Sequence, residues 1–260
     1  MTTLLEARAL SVTMGEIQCL NQIDLSLKRG ELIGLIGPNG AGKSSLLKAM
    51  AGLQEITHGT VLLGGAEIAG SDSRERGRVL GYLAQSGEIH WPIQVKRLVE
   101  LGRVPHLSAW ASLGAQDQQQ VEAALKQTGT WHLKDRTATT LSGGEKCRVL
   151  LARVLAGEPK IMLADEPIAA LDPAHQLMVM NSFRQFVDAG GGAILALHDL
   201  TIAARYCDQL LLLDAGERVI RGTPDEVLTE ARLASVYGIK ATLGRDENGC
   251  LTVAPYALST

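Results

Sequence analysis

Residues 32–53 constrain the fold more tightly than any other stretch of the chain. Leu32-Ile33-Gly34-Leu35-Ile36 is an apolar run of strand length. It enters Gly37-Pro38-Asn39-Gly40-Ala41-Gly42-Lys43-Ser44, and Lys43 to Leu53 then reads as a helix with Leu46, Leu47, Met50 and Ala51 on one side. The loop matches G-x-x-x-x-G-K-[ST], the P-loop pattern. Its glycines let the backbone curl so that several N–H groups point at one anion. The helix start adds the positive end of its dipole. A cation at Lys43 and a hydroxyl at Ser44 suit the β- and γ-phosphates of a nucleotide and a Mg²⁺ ion.

The rest of the chain places this loop in an α/β fold. Leu4 to Val12, Ile17 to Leu27, Thr60 to Leu63 and Arg78 to Leu83 read as strands, as do Ile161 to Ala164, Ala193 to Leu197 and Gln209 to Leu213. Helical segments at His175 to Val187 and Thr201 to Tyr206 alternate with the later strands, which argues a parallel sheet. From about Ser86 to Glu158 no strand texture is evident, while Gln116 to Lys126 and Ser142 to Leu155 read as helices; a helical subdomain is expected there. Pro224 to Leu228 and Glu230 to Tyr237 also read as helical, and the last residues as irregular. A nucleotide-binding domain over 1–225 and a tail over 226–260 packed on it are the expected divisions.

Composition excludes other classes. Among 260 residues, 46% are hydrophobic, enough for a packed core, so disorder is not expected. The aromatic share is only 3%, so the core must be aliphatic, as in a parallel sheet covered by helices. The formal net charge of −3 provides no global field toward nucleic acid. The four cysteines are scattered and lack zinc-ligand spacing, so idle reduced thiols are expected. Met1 to Leu10 carries Glu6 and Arg8 without a long apolar run, so no secretory signal is expected. No apolar stretch approaches the ~20 residues of a membrane span, so any link to a membrane must run through a partner.

Two further motifs carry chemistry. Ile161-Met162-Leu163-Ala164-Asp165-Glu166 is a buried-strand pattern ending in two acids. Asp165 is placed to hold Mg²⁺ and Glu166 to polarise an attacking water. Leu141-Ser142-Gly143-Gly144-Glu145 reads in two compatible ways. Ser142 and Glu145 have capping-box spacing, and a capped helix start with two glycines presents backbone N–H groups to an anion.

A P-loop, then L-S-G-G-E, then an apolar strand ending in Asp-Glu resembles the nucleotide-binding subunits of ABC transporters, from about residue 4 to at least residue 240. The resemblance implies a P-loop α/β core with an antiparallel β subdomain and a helical subdomain. It implies ATP on the P-loop, with Ser45 beside Ser44 and Met14 against the adenine. Gln85 resembles the Q-loop glutamine, which contacts Mg²⁺ or water; Ser44, Gln85 and Asp165 would then surround the ion. Ala170-Leu171-Asp172 resembles the D-loop, and His198 the switch histidine that contacts the γ-phosphate. Lys43, Gln85, Glu166 and His198 are the catalytic set so implied. The family mechanism is a homodimer in which Ser142, Gly143 and Gly144 of one copy close over ATP held by the other.

Narrower stretches resemble importers for iron-siderophore complexes, haem and vitamin B12: Leu101-Gly102-Arg103-Val104-Pro105-His106, Asp172-Pro173-Ala174-His175-Gln176-Leu177, Gly222-x-Pro224-x-Glu226-Val227-Leu228 and Val236-Tyr237-Gly238. They imply a peripheral subunit at the cytoplasmic face of a bacterial inner membrane, docked as a pair under a permease dimer and served by a periplasmic substrate-binding protein. A soluble ABC ATPase without a transport role, such as an iron-sulfur cluster assembly factor, is the competing expectation. Some positions depart from the family pattern. Met14 stands where many relatives carry an aromatic residue; Cys147 replaces a glutamine, with loss of a polar amide contact expected; and Ile168 replaces a threonine.

Overall fold

The computed structural model describes residues 2–85, 89–108, 111–169 and 171–259. They form two compact units, Met1–Ala69 with Gly192–Thr260, and Gly70–Gly191.

The first unit opens with β1 (Thr3–Met14) and β2 (Ile17–Lys28), an antiparallel hairpin. Gly15, at φ 61°, makes the turn. Ala9 and Gln22 also adopt positive φ, where the register slips into bulges. Side chains fill the gaps these bulges open in the ladder: Ala9 N donates to Asp24 Oδ1 at 2.8 Å and Gln22 N to Ser11 Oγ at 3.0 Å. β3 (Leu32–Ile36) is buried at every residue, as its apolar run predicts. It feeds α1 (Lys43–Met50), which is three residues shorter than the pattern to Leu53 because Gly52 turns to φ 66°. β4 (His58–Leu63) and β5 (Ala66–Glu67) complete an antiparallel sheet in the order β2-β1-β4-β5.

The second unit begins with α2 (Ser73–Val79) and β6 (Leu80–Leu83). The strand expected from Arg78 starts two residues later. Asp72 caps α2 by accepting from Arg74 N at 2.7 Å and Glu75 N at 3.0 Å, which draws Arg78 and Val79 into the helix. α3 (Val95–Glu100), α4 (Ala115–Gln127) and α5 (Gly143–Ala156) follow, with short 3₁₀ turns at Leu101–His106, Trp131–Leu133 and Ala138–Thr140. β7 (Ile161–Asp165), fully buried, lies parallel to β6 with Leu83 opposite Ala164. α6 (Pro173–Asp188) closes the unit, with proline in its first turn and Asp172 as its cap.

The chain then returns to the first unit. β8 (Gly192–Ala196), α7 (Leu200–Tyr206), β9 (Gln209–Asp214) and β10 (Glu217–Gly222) follow in order. β3 lies between β8 and β9 and runs parallel to both, and β10 pairs antiparallel with β9. α8 (Pro224–Val227) and α9 (Glu230–Tyr237) match the helical texture of the tail. The end of the chain is regular where irregularity was expected: β11 (Ile239–Arg245) and β12 (Leu251–Leu258) form a hairpin. Asp246 builds its turn by accepting from Asn248 N and Cys250 N, both at 2.9 Å, and Gly249 takes φ 78°.

Candidate nucleotide-binding and hydrolysis residues

In the first unit the glycine-rich loop leaves buried β3 and turns into α1. Gly37 adopts φ 144° and passes so close to β9 that a Cβ would lie 2.2 Å from the Leu213 carbonyl oxygen. Gly42 caps α1 at φ 98°, and no side chain caps this helix and no acid occupies its first turn. No acidic side chain of its own first turn thus neutralises the positive end of the α1 dipole. Lys43 is 6% exposed, and its Nζ donates to the carbonyls of Gly37 at 2.8 Å and Pro38 at 2.9 Å. The ammonium is therefore held within the loop itself. Asn39 and Gly40 are exposed at the tip, and Ser44 and Ser45 are half-buried at the helix start.

Two other sequence-singled residues lie in this unit. His198 is exposed just past β8, before Asp199 caps α7 by accepting from Ile202 N at 2.8 Å. Met14 stands at the tip of the β1–β2 hairpin and is 58% exposed.

In the second unit β7 delivers the acidic pair. Asp165 is 3% exposed at the strand end, and Glu166, half-buried, follows at φ 50°. A positive φ at a residue with a Cβ costs about 1–3 kcal/mol and recurs where a side chain must point in one direction. Gln85, two residues beyond β6, donates from Nε2 to Glu166 Oε2 at 2.6 Å. Its amide oxygen remains as a hard acceptor. Tyr82 lies on the same pair of strands. Burial first, and the Asp165 carboxylate second, push its phenol up to about 12. Its hydroxyl is buried without a hydrogen-bond partner among the described residues.

The L-S-G-G-E stretch caps α5. Ser142 Oγ accepts from Glu145 N at 3.3 Å, and Glu145 Oε2 accepts from Ser142 N at 2.8 Å, the reciprocal pair expected from the spacing. Arg136 adds an ion pair to Glu145 at 3.2 Å. The Ser142 backbone N–H, followed by the Ser142 hydroxyl and then Arg136, holds the Glu145 carboxyl below its ordinary range against an opposing desolvation. Ser142 and Gly143 are exposed, with open space where a Cβ on Gly143 would project. Asp172 caps α6; Ala170, the first D-loop position, lies outside the described residues.

Three participants were not singled out from the sequence for these contacts. Cys147 Sγ donates to Pro167 O at 2.9 Å, so the position keeps a polar contact although the family's glutamine is gone. Arg148 and His175 meet at 3.3 Å. Only His175 left a local signal, since it sits three residues after the helix-capping Asp172.

No cluster of three or more His, Cys, Asp or Glu able to hold a metal occurs among the described residues. The Ser44 hydroxyl in the first unit, and the Gln85 amide oxygen and Asp165 carboxylate in the second, are each hard oxygen donors of the kind Mg²⁺ takes from proteins, usually one or two at a time with phosphate and water completing its shell.

Known proteins resemble this chain over most of its length. The family model described as ABC transporter matches residues 20–169. The hemin import ATP-binding protein HmuV of Pseudomonas entomophila is 43% identical over 241 residues, covering 91% of this chain and 93% of that protein. The cobalamin import ATP-binding protein BtuD of Halobacterium salinarum is 37% identical over 253 residues, 96% of this chain and 63% of that protein. Among solved structures, a metal-chelate type ABC transporter in an inward-facing conformation aligns with a TM-score of 0.84 at 23% identity, over 99% of this chain and 98% of the other. A dimeric ATP-binding cassette in a post-hydrolysis state, bound to ADP and Pi, aligns with a TM-score of 0.76 at 26% identity, over 85% of this chain and 98% of the other. The chain belongs to the ABC transporter family, as one of its ATP-hydrolysing subunits.

Proposed function

We propose that this subunit powers an importer of haem, a related iron complex or vitamin B12, working as a homodimer under a permease dimer at the cytoplasmic face of the membrane. The Gln85–Glu166 hydrogen bond beside the buried Asp165 carries the catalytic part of the reading. The relatives named as hemin and cobalamin import ATP-binding proteins support the cargo class. They also weigh against a soluble iron-sulfur assembly factor. A periplasmic binding protein would deliver cargo to the permease. No helix among the described residues is long and apolar enough to cross a membrane, so the reading gives the crossing to the permease chains.

In this mechanism Lys43 and the loop amides neutralise the β- and γ-phosphates. Glu166 takes the proton of a water whose oxygen attacks the γ-phosphorus in line, and the bond from that phosphorus to the β–γ bridging oxygen breaks as ADP leaves. Gln85 fixes the direction of the Glu166 carboxylate. His198 contacts the γ-phosphate. Ser44, Gln85 and Asp165 would hold Mg²⁺, which when bound would neutralise part of the phosphate charge. Ser142, Gly143 and Gly144 of the second copy close over the nucleotide, and Asp172 reaches across with them. Closure and reopening are the output passed to the permease.

A tagged pull-down from detergent-solubilised membranes tests the reading. Recovery of a polytopic permease at equal stoichiometry is the expected result, and cargo-stimulated ATP hydrolysis by that complex would identify the cargo. Recovery with soluble partners alone would overturn it.

A further inference from the structure

Two side chains outside the scheme above, His175 and Arg148, join the cap of α6 to the start of α5. Asp172 Oδ1 accepts from His175 N at 3.0 Å, and Oδ2 lies 2.5 Å from His175 Nδ1. The other ring nitrogen, Nε2, is 3.3 Å from Arg148 Nη2. Arg148 is 8% exposed, and its Nε donates to Gly144 O at 3.4 Å. A guanidinium only donates and a carboxylate only accepts. Nε2 therefore accepts from Arg148, and Nδ1 carries the proton toward Asp172. The ring also packs on the helix start, since a Cβ on Gly144 would lie 3.2 Å from it.

Capping α6 requires only Asp172 and a backbone N–H. The reach of His175 to a second helix goes beyond that need. The carboxylate it holds is 58% exposed, and residues Ser142 and Gly143 are exposed as well, so both ends of the chain of contacts face outward. Left to a backbone amide alone, an exposed Asp172 side chain would sample several rotamers and lose its alignment with the Gly144 backbone.

We propose that His175 is a positioning residue that locks Asp172 to Arg148 and Gly144, so that the Asp172 cap and the L-S-G-G-E helix start meet the nucleotide of a second copy as one rigid piece. The inference rests on the dimeric reading above. It places in this histidine a task that falls to no residue touching ATP.

Full-length variants test it by steady-state ATP hydrolysis. His175→Ala removes both ring contacts. It should lower kcat about tenfold while KM stays within about twofold, because what is lost is alignment in the closed state. His175→Gln can donate to Asp172 and accept from Arg148 at once, and should recover at least half of the lost rate. Arg148→Ala with His175→Ala should be no slower than the slower single variant, as expected for members of one network. A His175→Ala variant with wild-type kcat overturns the inference, as does a rate loss that follows a fall in Tm and that His175→Gln does not restore. The two readings separate through Glu166→Gln. If that variant stays monemeric with ATP, the dimeric reading falls and this inference with it. If it dimerises while His175→Ala turns over at the wild-type rate, the inference alone falls.

Discussion

The Gln85 amide donates to the Glu166 carboxylate at 2.6 Å, across 81 residues of sequence. Strand register brings them together: Leu83 on β6 is opposite Ala164 on β7, and each of the pair lies two residues further along its chain. The expected result for Gln85→Ala is a kcat lowered about tenfold with nucleotide affinity little changed, since one hydrogen bond orienting the proposed base is lost. Gln85→Glu should be worse at pH 8 than at pH 6. Two facing carboxylates repel when both are ionised, and acid relieves this by protonating one. A kcat–pH profile of both variants checks the pair.

Gly37 and Gly40 separate two requirements of the phosphate loop. Both have positive φ, 144° and 82°, but only Gly37 has an obstruction, the Leu213 carbonyl 2.2 Å from a Cβ position. Gly40→Ala should cost about 1–2 kcal/mol from backbone strain alone. Gly37→Ala adds overpacking against backbone that cannot swing away and should cost at least about 3 kcal/mol, enough to depress soluble expression. Urea denaturation of the two variants measures the difference.

Alkaline stability should depend on Cys147. Burial pushes its thiol up to about 11 from an ordinary 9.0, with Arg148 pulling weakly the other way. The folded state therefore keeps this proton at pH values where the unfolded chain releases it. That contribution is whole below pH 9 and is lost as the pH rises toward 11, at most about 2–3 kcal/mol. Cys147→Ser has no thiol to ionise and retains a donor for Pro167 O. Its unfolding free energy should fall less between pH 8 and pH 11 than that of the parent.

The proposed placement of Met14 against the adenine bears on base selection. At 58% exposure on the hairpin tip it offers a flexible thioether where a ring would stack on a purine. Comparable kcat/KM for GTP and ATP is expected, and Met14→Tyr should shift the ratio toward ATP by about fivefold. Strict ATP preference in the parent chain would remove Met14 from the account of base recognition.

What the sequence determined by itself was local. The strand–glycine loop–helix order around Lys43, the Ser142–Glu145 cap and the buried strand ending at Asp165 all follow from backbone geometry and hydrogen bonds spanning a few residues, so spacing alone exposes them. Ends of elements were less legible. Asp72 pulled Arg78 and Val79 into a helix, and Asp246 folded a hairpin from a stretch with no clear period. The contacts that orient the side chains were decided only by tertiary structure. Gln85 finds Glu166, Cys147 finds Pro167 and Arg148 finds His175 because of which strands pair and which helices pack. Those choices depend on burial summed over the whole core, which no short window of sequence contains.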